Sequence, residues 1–270
     1  MAEKQDSVNL DRISVLAAAI MLAYTLLGFV NFPSREIAFE VFGVYLEFTI
    51  NIQIIIAILV ASLTATGADG LVRSNPGFNG GITIQHWLLP ALTAWAIGMI
   101  LFQQPFGPLW WITFIFGGGT LILVLAAEYI VVNPDDPRQI PATIGITSVS
   151  FALFLTLAIT IYALETRLFL FIPTVSIAFF LTNLRIFHLR LAGDWALTTV
   201  LVNTFIVAEV SAALHYFPIN PILFGLWILG TAYAVISIST DIRKEKKWNQ
   251  MIAEPIIAIL LVWGISIFIR

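Results

Sequence analysis

Apolar runs of about twenty residues recur from one end of this sequence to the other, and very few folds accommodate them. A run of that length crosses a bilayer as a helix and is far too long for a barrel strand. Nine such runs are read here, at 13–30, 38–63, 86–102, 109–132, 144–164, 168–187, 195–215, 222–239 and 255–269. The last is the shortest, and without it the count is eight. Composition agrees: 59% of the 270 residues are hydrophobic and 11% are charged, against about 25% charged in a soluble domain. The expected fold is an all-α polytopic transmembrane bundle forming a single integral membrane domain over 1–270. The net charge of -3 says little about partners, but with no basic face and only one short basic cluster no nucleic-acid reading survives.

The loops carry an orientation. Cytoplasmic loops collect Lys and Arg. With the N-terminal segment 1–12 inside, the inner segments hold Lys4, Arg12, Arg73, Arg138, Arg185, Arg190, Arg243, Lys244, Lys246 and Lys247. The outer segments hold Arg35, Arg167 and Arg270. Trp87, Trp195 and Trp248 then fall at the inner interface, and Trp110 and Trp111 at the outer one. The first run is expected to be a retained span rather than a cleaved signal, in a cell (inner or plasma) membrane. The cytoplasmic loops are 64–85, rich in Gly, Asn and Ser, and 240–254, which is basic. In the second of these, Arg243, Lys244, Lys246 and Lys247 form a cluster suited to anionic lipid, or simply to fixing topology. Pro90, Pro173 and the Gly117-Gly118-Gly119 triplet fall inside spans, where they loosen a helix or let its neighbours approach.

Ionisable groups at membrane depth need partners, since each costs about 2.5–3.5 kcal/mol at a helix centre even on the gentlest scale. Glu47, Glu128 and Glu209 lie within the runs. Glu128 is one turn from a helix end and is expected at the headgroups. Glu47 and Glu209 are deeper, at matched distance from the outer ends. Asn51 stands four residues after Glu47, on the same face if that segment is helical. Asn203 lies deeper than Glu209 on its run, and His215 ends it. The expected site is therefore an outward-facing polar chamber for a cation, a proton or a small polar ligand, built on Glu47, Asn51, Asn203, Glu209 and His215. The plain structural alternative is a set of hydrogen-bonded carboxyls pinning helices together.

No cysteine is present, which rules out thiolate metal sites and cysteine nucleophiles. His86 and His188 are expected at the inner interface and His215 at the outer, too scattered for one metal. No metal, cofactor or catalytic residue is assigned. The order of Glu165-Thr166-Arg167 followed by Ser211 and His215 resembles the CAAX-processing and bacteriocin-immunity family of intramembrane glutamate proteases. That resemblance implies water activation by Glu165 and His215. The sequence departs from the family pattern: Thr166 stands where a second Glu belongs, Arg167 is two residues on instead of four, and no histidine follows His215. Otherwise the chain looks like a bacterial multi-pass membrane protein. Three readings stand: a binding or transport protein, an intramembrane hydrolase, and a non-catalytic subunit of a membrane complex.

Overall fold

The computed structural model describes residues 2–28, 35–41, 44–50, 52–78, 80–191, 193–246 and 248–267. The chain forms two compact units, Met1–Gln139 and Ile140–Arg270.

The first unit contains α1 (Ala2–Gly28), a two-stranded antiparallel hairpin of β1 (Arg35–Val41) and β2 (Val44–Ile50), and then α2 (Ile52–Arg73). A single 3-10 turn at Ile84–His86 leads into α3 (Leu88–Gln103), followed by α4 (Pro108–Val131). The hairpin replaces the first half of the span expected at 38–63. Arg35 pairs with Ile50 and Ala38 with Glu47 across it. Its residues fit strands: Ile37, Phe39, Val41, Val44, Tyr45, Phe48, Thr49 and Ile50 are β-branched or aromatic, which favours a pleated surface. The second apolar helix therefore starts at Ile52 and runs on to Arg73, taking up the first ten residues of the loop expected at 64–85.

On α1, Ile13, Ala17, Ile20 and Tyr24 form one buried stripe at helical spacing. Val60, Ala68 and Leu71 of α2, Ala94, Ile97 and Leu101 of α3, and Leu121 and Leu125 of α4 belong to the same core. Within it the Tyr24 hydroxyl donates to the Ala94 carbonyl at 2.6 Å, which ties α1 to α3. Pro90 sits in the first turn of α3, where its missing N–H has no intrahelical partner to lose. The glycine triplet does not break α4. Gly118 lies beneath Met21 and Gly117 against Ile97, so two of the three give close helix contact.

The second unit is helical throughout: α5 (Gln139–Ala163), α6 (Leu168–Arg190), α7 (Leu197–His215), α8 (Pro221–Arg243) and α9 (Trp248–Ile267). Asn220 caps α8, its side chain accepting from the Leu223 N–H at 2.8 Å, with Pro221 at the first helical position. Phe154 packs on Phe179, and Tyr162 stacks on Phe224 at 4.3 Å. Gly225 lets α8 pack tightly on α5. A Cβ there would stand 2.4 Å from Ile159 Cγ1 and 3.1 Å from Leu155 Cδ1. Gly225→Ala is therefore expected to lower stability by about 1–3 kcal/mol through overpacking. Gly145→Ala, at a helical glycine with open space around it, is expected to be neutral or to stabilise by up to about 1 kcal/mol. Denaturant midpoints of the two variants in one detergent compare them directly.

Among the described residues, seven helical segments are long and apolar enough to cross a membrane: Ile55–Arg73, Ile84–Gln103, Pro108–Val131, Gln139–Ala163, Leu168–Arg190, Leu197–His215 and Pro221–Arg243. Their outer faces are greasy. Phe116 is 73% exposed and Phe205 65%. In water such continuous apolar faces drive association, whereas in lipid they are solvated.

Candidate functional site

A deeply sealed ionisable contact lies in the first unit. On α4 the buried stripe Gly118, Leu121, Val124, Leu125 continues to Glu128. Glu128 is 1% exposed and His86 7%. His86 Nδ1 stands 2.8 Å from Glu128 Oε2. An ionised carboxylate only accepts, so in that state Nδ1 carries the hydrogen. The position expected to reach the headgroups is thus an interior one, because it falls in register with the buried leucines.

The segment between α2 and α3 delivers His86 to this contact. Asp69, in the last turns of α2, gathers three donors: Arg73 Nε at 2.8 Å, the Trp87 indole N–H at 3.2 Å, and the Thr83 hydroxyl. Asn75 Nδ2 donates to the Tyr129 carbonyl at 2.8 Å, one residue from Glu128. Asn75 Oδ1 accepts from the Gly77 N–H, closing a side-chain turn. The segment read from sequence as a Gly-, Asn- and Ser-rich loop is therefore strapped at both ends, with His86 held between Asp69's partners and α4. Beyond α4, Arg138 binds Asp136 through two nitrogens, each at 3.1 Å. This hydrogen bonding holds the Asp136 carboxyl below its usual range.

The second unit buries a polar seam between α6, α7 and α8. Asn183, Arg185, Asn203 and Asp241 are all at most 5% exposed. Asn183 Nδ2 points to the Val200 carbonyl at 3.4 Å, and the Ser239 hydroxyl donates to Asn203 Oδ1 at 2.7 Å. Asn183 Oδ1 and Asn203 Nδ2 are left without a hydrogen-bond partner among the described residues. Arg185 lies inside α6, so it leaves the tally of inner-loop cations. The basic cluster carries its own counter-charges: Lys246 Nζ is 2.7 Å from Asp241 Oδ1, and Arg243 Nη1 is 3.3 Å from Asp194 Oδ2. That reduces what Arg243 and Lys246 offer to an anionic lipid; Lys247 lies outside the described residues.

The expected site residues separate as follows. Glu47 belongs to β2, so it and Asn51 share no helix face; Asn51 itself lies outside the described residues. On α7 the buried face is Val200, Asn203, Val207 and Ser211. Glu209 is six residues, or about 240° on from Asn203, and it is exposed beside Phe205 and Ile206. Asn203 and Glu209 therefore lie about 120° apart on different faces of one helix. His215 packs on Phe171 at 4.6 Å and near Tyr162 and Tyr216, with Nδ1 buried and lacking a hydrogen-bond partner among the described residues. Ser211 donates back to the Val207 carbonyl at 2.7 Å and not to His215, so the serine–histidine pair is not assembled. Glu165 sits exposed in a turn at φ 48°.

Helices of this length and greasiness, with carboxylate, imidazole and guanidinium groups sealed among them, define a multi-pass helical membrane protein. A family model described as "Protein of unknown function (DUF5656)" matches residues 32–269, and the chain belongs to that family. No curated protein and no solved structure matches. Nothing in these comparisons relates the chain to intramembrane glutamate proteases.

Proposed function

We propose that this is a binding or transport protein whose intramembrane ionisable site is the His86–Glu128 pair, and that the pair exchanges a proton. The observation that carries this reading is the 2.8 Å contact between two side chains withdrawn almost wholly from the surface. Within membranes, carboxylate and histidine pairs of this kind mark proton and ion routes, because an ionisable group kept there is expensive without a use. The pair sits where the α2–α3 segment closes over the end of α4, so a change in its proton count acts directly on how that segment is held. The acid expected from Glu47 and Glu209 is in this reading supplied by Glu128. A hydrolase would need a nucleophile or an activated water beside the pair, and the hydroxyls of Tyr24, Thr83, Ser211 and Ser239 are each engaged elsewhere.

The test uses the full chain in liposomes containing a pH-sensitive dye. An imposed proton gradient is expected to be dissipated by the native protein and not by Glu128→Gln. Infrared difference spectra across a pH step should show a carboxyl band that Glu128→Gln removes and Glu209→Gln keeps. If Glu128→Gln matches the native protein in both measurements, the reading fails.

A further inference from the structure

Glu209 is a carboxylate on the wrong side of its helix. Along the middle of α7, Leu201, Val202, Phe205, Ile206 and Glu209 are exposed, recurring every three to four residues and turned away from the buried face of Val200, Asn203 and Val207. Glu209 lies six residues before the end of α7 at His215, which is about 9 Å along the axis. Among the described residues it has no hydrogen-bond or ion-pair partner. Acyl chains offer no donor, so a surface of this kind is left incomplete by the second unit itself.

We infer that α7 is a dimerisation face, and that its occupant is α7 of a second copy of this chain. Two properties of the patch select a second copy over a foreign helix. Copies inserted the same way place Glu209 at the same depth automatically, so the two side chains meet across a two-fold axis along the membrane normal. A carboxylic acid group also complements itself: each protonated carboxyl donates its O–H and accepts through its carbonyl oxygen, so two of them form a neutral pair with no basic residue. The flanking Val202, Phe205 and Ile206 supply the three-and-four spacing that helix pairs interlock through. Their packing closes the carboxyls off from lipid.

The chain lacks cysteine, which makes single-cysteine crosslinking specific. Phe205→Cys and Val207→Cys are compared in membranes under mild oxidation, alongside the association state of the cysteine-free protein in nanodiscs and vesicles at graded lipid dilution. The expected result is a crosslinked homodimer from Phe205→Cys and none from Val207→Cys. Glu209→Leu should weaken association about tenfold, near the upper range for membrane hydrogen bonds. Glu209→Gln should retain it, because an amide is also self-complementary; this second variant separates loss of the contact from loss of fold. A protein that stays monomeric at every dilution overturns the inference. So does a Glu209→Leu dimer as tight as the native one, or crosslinking to a different protein in place of a second copy.

Discussion

His86→Ala is expected to lower the unfolding free energy by about 3–5 kcal/mol, which would place it among the most damaging single changes in the first unit. The reason is asymmetric. Taking the imidazole away leaves Glu128, 1% exposed, facing the gap where its 2.8 Å partner stood. Removing both groups does not leave that problem. The double variant His86→Leu with Glu128→Leu should recover most of the loss, because apolar replacement of a buried pair is often neutral or stabilising. Denaturant unfolding in mixed micelles, run on the native protein, His86→Leu, Glu128→Leu and their double variant, measures the coupling. A double-variant loss equal to the sum of the two single losses would show that the contact contributes nothing. The cycle also separates stability from activity: a destabilised His86→Ala and a stable but proton-inert double variant are the pair of outcomes the proposed function requires.

In the second unit the largest effect is expected at Phe224. The side chain is fully buried, stacks on Tyr162 at 4.3 Å and lies 5.5 Å from Phe171. Phe224→Ala in a soluble core costs about 3–5 kcal/mol. In a bilayer the separated helices are also in an apolar medium, so transfer from water contributes little and lost packing dominates. The expected loss is therefore at the lower end, about 3 kcal/mol. Phe224→Leu should recover more than half of it. The same void opens beneath His215, which leans on Phe171. A histidine ring signal that sharpens or moves in Phe224→Ala but not in Phe224→Leu would trace the cavity to that cluster. An unfolding midpoint for Phe224→Ala within error of the native protein would refute the packing argument.

Much of the fold was legible because lipid imposes one rule on every span. The runs at 109–132, 144–164, 168–187 and 222–239 correspond to α4, α5, α6 and α8, with ends displaced by at most one residue except at the C-terminal ends of α6 and α8 and the start of α5, where polar turns join the helix. The site was less legible. Periodicity reports that a helix has a buried face, but which residues share it depends on phase. On α4 the phase could have been found: Leu121, Val124, Leu125 and Glu128 fall on one stripe. Depth was the misleading cue there, since one turn from a helix end looked like the interface. On α7 the phase was also available, and Asn203 and Glu209 at six residues apart cannot share a face. The hairpin was hidden for another reason. A run of β-branched and aromatic residues reads as apolar whether it pairs as strands or coils as a helix. Arg185 was hidden because a cation near a span end is ordinarily a topology marker.

The strapping of the segment between α2 and α3 bears on how the protein can be handled. Gly80 and Gly81, at φ 82° and 129°, have nothing within 4 Å of where a side chain would begin. The straps through Asn75 and Thr83 stand on either side of them. A protease site or a small fluorescent tag inserted between these two glycines should thus leave the body of the protein intact, while the same insertion a few residues to either side would tear an anchor loose. That makes the glycine pair the natural place for a reporter of which face of the membrane this segment occupies.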